Sequence, residues 1–141
     1  MSRRLLKSPD GQEIRERIVP ARMSFAGEAA GFARAASAPA GFSRKRLDSL
    51  EMTVEEAFGN VASKGYGERP GSIRLVVSAR PGEVEVQIWD RGEPFDPECY
   101  AVPDAPEKEG AVRLRQSRAE EMAYRREEDQ NLLVLRFLER P

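Results

Sequence analysis

The chain of 141 residues contains no histidine and a single cysteine, Cys99. Without histidine it lacks the commonest metal ligand and the usual general base, so a Ser-His-Asp triad and a Cys-His dyad are excluded. One cysteine rules out an internal disulfide framework, and no neighbouring cation pattern activates the thiol beside Tyr100. No apolar run approaches the roughly 18 residues of a membrane span, and the opening MSRRLLKSPDGQ has no hydrophobic core of a secretion signal. The compartment expected from these absences is the cytoplasm, with no membrane partner. An excess of charge is missing too. The 23 basic residues against 24 acidic leave a net charge of −1, with no basic stripe and no regular stacking aromatics to suit nucleic acid.

What remains is enough for one core. Forty per cent of residues are hydrophobic and 33% charged, in a length that suits a single domain. Residues 1–12 read as a flexible N-terminal segment and 13–141 as one domain. Residues 13–19, EIRERIV, read as a short edge strand stopped by Pro20. Residues 22–36 are Ala-rich, with Phe25, Ala29 and Phe32 at helical spacing. The clearest helix is 43–64. Ser43 stands at its N-cap, and Leu47, Leu50, Val54, Phe58 and Val61 form one apolar stripe. Two alternating runs follow, Ile73/Leu75/Val77 and Val84/Val86/Ile88, joined at Arg80-Pro81-Gly82-Glu83, which predicts an antiparallel hairpin.

From Arg91 to about Gly110 the chain is irregular, with prolines at 94, 97, 103 and 106. Loops of that length are functional or disordered more often than plain connections. Residues 111–121 read as a short helix and NLLVLRFL (131–138) as a buried strand. Strands gathered after helices predict an α+β fold: a two-layer α/β sandwich whose mixed, mostly antiparallel sheet carries helices 22–36, 43–64 and 111–121 on one face.

Two constellations carry chemistry. Glu56 and Asn60 lie four residues apart, so they share a helix face about a third of a turn from the apolar stripe. A carboxamide oxygen there can ligate a hard cation, and the carboxylate can polarise a hydroxyl. Asp90-Arg91-Gly92 ends the second hairpin strand. An aspartate at that point can accept from an exocyclic amine, and Gly92 lets a flat ligand approach the backbone. Each pattern alone is common on solvated helix faces and at strand ends. Trp89 alternates away from the Val86/Ile88 face.

Taken together, LEMTVEEAFGNVASKGYG (50–67), VEVQIWDRGEPFDPE (84–98) and EEMAYRREEDQNLLVLRFL (120–138) resemble the ATPase domain shared by histidine kinases, gyrase and Hsp90-type proteins. Within that group the chain is similar to the bacterial anti-sigma-factor serine kinases. The resemblance implies ATP as ligand, with Asn60 holding Mg2+, Glu56 activating the attacking hydroxyl, Asp90 reading adenine and Gly92 opening the base pocket. Lys64 stands where the family carries a histidine beside the nucleotide. The family's glycine-rich phosphate grip falls on Glu109-Gly110-Ala111, where only Gly110 survives and an acidic residue precedes it. Implied partners are a sigma factor and a STAS-domain antagonist in stress-responsive transcription control. A homodimer is implied as well, with the apolar residues of 22–36 as a candidate surface. The alternative implied by the eroded glycines is a catalytically weak module that sequesters such a partner without efficient nucleotide use.

Overall fold

The computed structural model describes residues 2–7, 11–66, 69–92 and 119–139. Two helices cover one face of a six-stranded sheet. The strands are β1 (Ser2–Lys7), β2 (Glu13–Pro20), β3 (Ser72–Arg80), β4 (Glu83–Asp90), β5 (Glu121–Glu127) and β6 (Gln130–Leu138). They lie in the order β1-β2-β3-β4-β6-β5, and each of the described pairings is antiparallel. The helices are α1 (Ala26–Ala36) and α2 (Arg44–Asn60). This is the two-layer α+β sandwich expected from the sequence. None of the described helices is long and apolar enough to cross a membrane.

The core follows the two periodicities. Leu50, Val54 and Phe58 of α2, with Val61 just past its end, are buried against Ile73, Leu75 and Val77 of β3 and Val84, Val86 and Ile88 of β4. Leu133, Leu135 and Phe137 of β6 complete the apolar floor. Small residues, Ala29, Ala30 and Ala33, bury the inner side of α1 beside α2. Arg34 then ties the two helices by ion pairs to Asp48 (2.7 Å) and Glu51 (2.9 Å). The β3–β4 hairpin turns at Pro81-Gly82, where Gly82 takes φ +80° as a tight turn requires.

The start of α2 is fixed as its sequence suggests. The Ser43 hydroxyl accepts the Arg46 N–H (3.2 Å). Ser43 also donates twice to Glu139, from its backbone N–H (2.6 Å) and from its hydroxyl (2.7 Å), which clamps the helix to the end of β6. These bonds hold the Glu139 carboxyl below its usual range. A lowered folded-state value means that Glu139 stabilises the fold above its unfolded pKa and loses that contribution as pH falls through the folded one. Ser43→Ala is therefore expected to cost about 0.5–2 kcal/mol at neutral pH through the lost cap. The gap from wild type should narrow in acid as Glu139 protonates. Thermal unfolding of both proteins between neutral pH and the carboxylate range checks this.

Several elements differ from expectation. Ser2–Lys7, read as part of a flexible leader, forms β1 on the sheet edge, so β2, expected from residues 13–19 as an edge strand, is instead paired on both sides, with β1 and β3. The β1 sequence SRRLLK does not alternate, so it gives no strand signal. The helix expected over 111–121 falls, for residues 111–118, outside the described residues. Its last residue, Glu121, instead opens strand β5, and the Glu120 N–H already bonds to the Arg136 carbonyl (2.8 Å). That second hairpin went unread because its turn, Glu128-Asp129, lacks glycine or asparagine. Glu128 itself takes the left-handed conformation (φ 57°) that such a turn needs. Finally, regular α-helix ends at Asn60, and residues 61–66 continue as a π-helical turn.

Candidate functional site

Glu56 and Asn60 sit on the last turns of α2, Glu56 half-buried and Asn60 buried. The π-helical turn Val61–Tyr66 starts immediately after Asn60 and carries Lys64 on its exposed side. Such turns are rare and occur often at functional sites, because the wider backbone re-aims the side chains that follow. Here it delivers Tyr66 to the sheet. Tyr66 is buried, its hydroxyl accepts the Arg91 N–H (2.7 Å), and it donates to the Ser72 carbonyl (3.1 Å). Burial first, with the nearby Asp90 charge, raises the Tyr66 pKa above that of a free phenol, although the Arg91 bond opposes this. The hydroxyl therefore stays protonated at neutral pH and keeps its donor.

Asp90 is the last residue of β4 and only 3% exposed. Its Oδ1 accepts two bonds, from the Gly92 N–H (2.8 Å) and from Nδ2 of Asn131 (2.9 Å), its partner across β4–β6. Among the described residues, Oδ2 accepts none. A buried carboxylate with one oxygen anchored and the other open is an acceptor held ready for an outside donor. Burial raises the Asp90 pKa, while the Asn131 and Gly92 bonds and the Arg126 charge pull it down.

The anchor is itself anchored. Asn131 Nδ2 reaches the Gly92 carbonyl (3.3 Å), and its Oδ1 accepts from the Tyr124 hydroxyl (2.6 Å) and from Arg126 Nη1 (3.0 Å). Arg126 Nη1 also reaches the Gly92 carbonyl (3.2 Å). The amide orientation of Asn131 is thus set by donors on one side and acceptors on the other, and Gly92 is gripped through both of its backbone groups.

A cavity of about 680 Å3, in the size range of small-molecule sites, opens beside this end of the sheet. Tyr66, Arg69, Arg74, Trp89, Asp90 and Arg91 are among the residues that line it; Glu56, Asn60 and Lys64 are not. Trp89 faces away from the core as its alternation predicts. Arg74 lies over its ring (5.2 Å), and its Nε1 donates to Gln87 (2.9 Å).

The structure thus groups the sequence-derived residues in two places. Glu56 and Asn60 share the end of α2, with Lys64 just beyond. Asp90 and Gly92 share the end of β4, and Tyr66 joins the two. Gly110 and the rest of the eroded glycine stretch lie outside the described residues. Tyr66, Tyr124, Arg126 and Asn131 were given no role from sequence. The only signal for the last three was the Tyr-Arg-Arg run before the final strand and a polar residue opening an apolar one. Among the described residues no cluster of three or more acidic, histidine or cysteine side chains could hold a metal alone. An Mg2+ that keeps several waters and rests mainly on phosphate oxygens needs few protein ligands. The oxygen donors of Glu56 and Asn60, one turn apart, match that chemistry, as the open Oδ2 of Asp90 matches an exocyclic amine.

Comparison with known proteins bears on the family and the fold. Residues 19–137 match the family model described as the histidine kinase-like ATPase domain. A curated relative, the serine-protein kinase RsbW of Oceanobacillus iheyensis, is 31% identical over 82 residues, covering 57% of this chain and 52% of the relative. The chain thus spans about half the length of that relative. Among solved structures, the histidine kinase domain of the Erythrobacter litoralis blue-light activated histidine kinase superposes with a TM-score of 0.52 at 17% identity. That superposition covers 82% of this chain and 60% of the other, and the likeness is one of fold.

Proposed function

This chain belongs to the histidine kinase-like ATPase domain family, and from that premise we propose that it is an anti-sigma-type regulator that binds ATP-Mg and phosphorylates a serine. The observation that carries the reading is Asp90: a buried carboxylate at a strand end, one oxygen fixed by Gly92 and Asn131 and the other with no partner among the described residues. The adenine amine is the donor it suits. Asn60 would hold Mg2+ at the phosphate end, and Lys64, on the exposed side of the π-helical turn, would offset phosphate charge. Bound ATP-Mg supplies the transferable phosphoryl group. Glu56 takes the proton of the incoming serine hydroxyl, which raises its nucleophilicity. The rest is positioning and charge neutralisation.

By likeness to a serine-protein kinase, the acceptor would be a STAS-domain antagonist that competes with a sigma factor for this protein. A second reading rests on residues 109–111. The stretch that resembles the family's phosphate grip, Glu109-Gly110-Ala111, keeps one glycine and carries an acidic residue, which favours a partner-sequestering module with weak catalysis.

Calorimetric titration of ATP with and without Mg2+, followed by phosphate transfer to a cognate antagonist, tests the first reading. Restoring Glu109→Gly with Ala111→Gly removes one negative charge and permits close backbone approach. Under the kinase reading this double variant should bind ATP-Mg more tightly and transfer faster. A wild type that binds no nucleotide while still capturing its partner would establish the second.

A further inference from the structure

Tyr66 occupies a place in the sheet that a backbone bond would ordinarily fill. The register Arg74↔Trp89, extended by two residues, sets Ser72 opposite Arg91. The Gly71 carbonyl accepts from the Ala21 N–H (2.9 Å) and so turns toward β2, which directs the backbone groups of Ser72 toward β4. Between Ser72 and Arg91 there is no backbone rung. The Tyr66 hydroxyl bridges them instead, accepting the Arg91 N–H at 2.7 Å and donating to the Ser72 carbonyl at 3.1 Å. A side chain from the helix layer thus wedges apart the ends of β3 and β4, in the interval between Asp90 and Gly92.

The wedge fits only because residue 71 is glycine. A Cβ at Gly71 would come within 2.2 Å of Tyr66 Cε1 and 2.7 Å of Cδ1, inside any tolerable contact. Gly71 has no positive φ, so what it provides is room for the ring rather than backbone freedom. Tyr66 also ends the π-helical turn that begins just after Asn60, so the wedge is set by the same segment that follows the phosphate-end residues.

We propose that Tyr66, seated on Gly71, is a positioning residue for base recognition: it splays the β3 and β4 ends so that Asp90 presents its open oxygen to an amine-bearing base. The inference rests on the nucleotide reading given above and names the device that sets its base preference. Adenine offers an amine donor where guanine offers a carbonyl acceptor, so preference for adenine depends on the direction of that oxygen. Without the hydroxyl, Ser72 and Arg91 would pair directly or leave two groups unbonded, and either result moves the Asp90–Gly92 turn.

The test compares wild type with Tyr66→Phe by titration of ATP-Mg and GTP-Mg, together with hydrogen exchange of the Arg91 amide in unliganded protein. Expected are an altered exchange rate at Arg91, a roughly three- to tenfold loss of ATP affinity and a narrower ATP-over-GTP preference. A variant that melts earlier but keeps its full preference would show a plain structural brace and overturn the proposal. Gly71→Ala reaches the same point by displacing the ring while keeping the hydroxyl. It should narrow the preference alone and add little in the Tyr66→Phe background, and full additivity of the two changes would overturn the coupling. A wild type that binds neither nucleotide brings down the nucleotide reading and this inference with it. A wild type that binds ATP, with a preference indifferent to Tyr66, brings down this inference alone.

Discussion

Glu56→Gln is expected to slow phosphate transfer to a serine acceptor by about 10²–10⁴-fold, the usual contribution of a positioned general base. The substitution keeps shape and hydrogen-bonding capacity but removes the proton acceptor, so ATP-Mg affinity should hold while turnover falls. Glu56 is half-buried on the same face as Asn60, one turn away, so the change leaves the buried stripe of Leu50, Val54 and Phe58 untouched. Melting temperature should therefore be close to that of wild type. Single-turnover transfer measured at saturating ATP separates this from a binding defect, in which the loss would disappear as nucleotide is raised. Equal transfer by the two proteins would remove Glu56 from the chemistry.

Asp90→Asn should separate binding from folding in the opposite way. Oδ1 of an asparagine can still accept from Gly92 and Asn131, so the internal bonds at 2.8 and 2.9 Å survive. The other terminal atom changes from an open acceptor to an NH2 donor, which faces the adenine amine donor to donor. A charge-assisted bond is worth about 1.5–3 kcal/mol, so ATP affinity should fall at least about tenfold. Stability should move the other way. Burial raises the Asp90 pKa, so the folded chain holds this proton more firmly than the unfolded chain does. Asp90 therefore costs stability as pH rises from the unfolded carboxyl pKa towards and through the raised folded value. The neutral asparagine carries no such cost. Asp90→Asn should melt at the same temperature or higher at pH 7, with that advantage shrinking as the pH is lowered. Denaturation across this range, beside calorimetry with ATP, checks both halves. Unchanged ATP affinity would reduce Asp90 to a strand-end turn residue.

The sequence by itself determined the parts of this protein that repeat with a period. The stripe from Leu47 to Val61 specified α2, and Ser43 marked its start, because a helical face and a cap are local facts of spacing and side-chain chemistry. Alternation specified β3 and β4, and Pro81-Gly82 their turn. Glu56-x-x-x-Asn60 and Asp90-x-Gly92 stood out for the same reason, and together with their order they led to the family that residues 19–137 match. What has no local signature was decided by tertiary structure. β1 and β5 exist as strands because neighbours offer them a ladder, and the β5–β6 turn holds Glu128 in a left-handed conformation that no residue type there announces. The end of α2 changes to a π-helical turn at Val61, where helical spacing alone had carried the helix on to Lys64. The clamp on Asp90 joins residues 90 and 131, and the Tyr66 wedge joins residues 66, 72 and 91. Such contacts form only when strands and a helix end arrive together, since a hydrogen bond between distant residues depends on their final separation and not on any pattern either one makes with its neighbours in the chain.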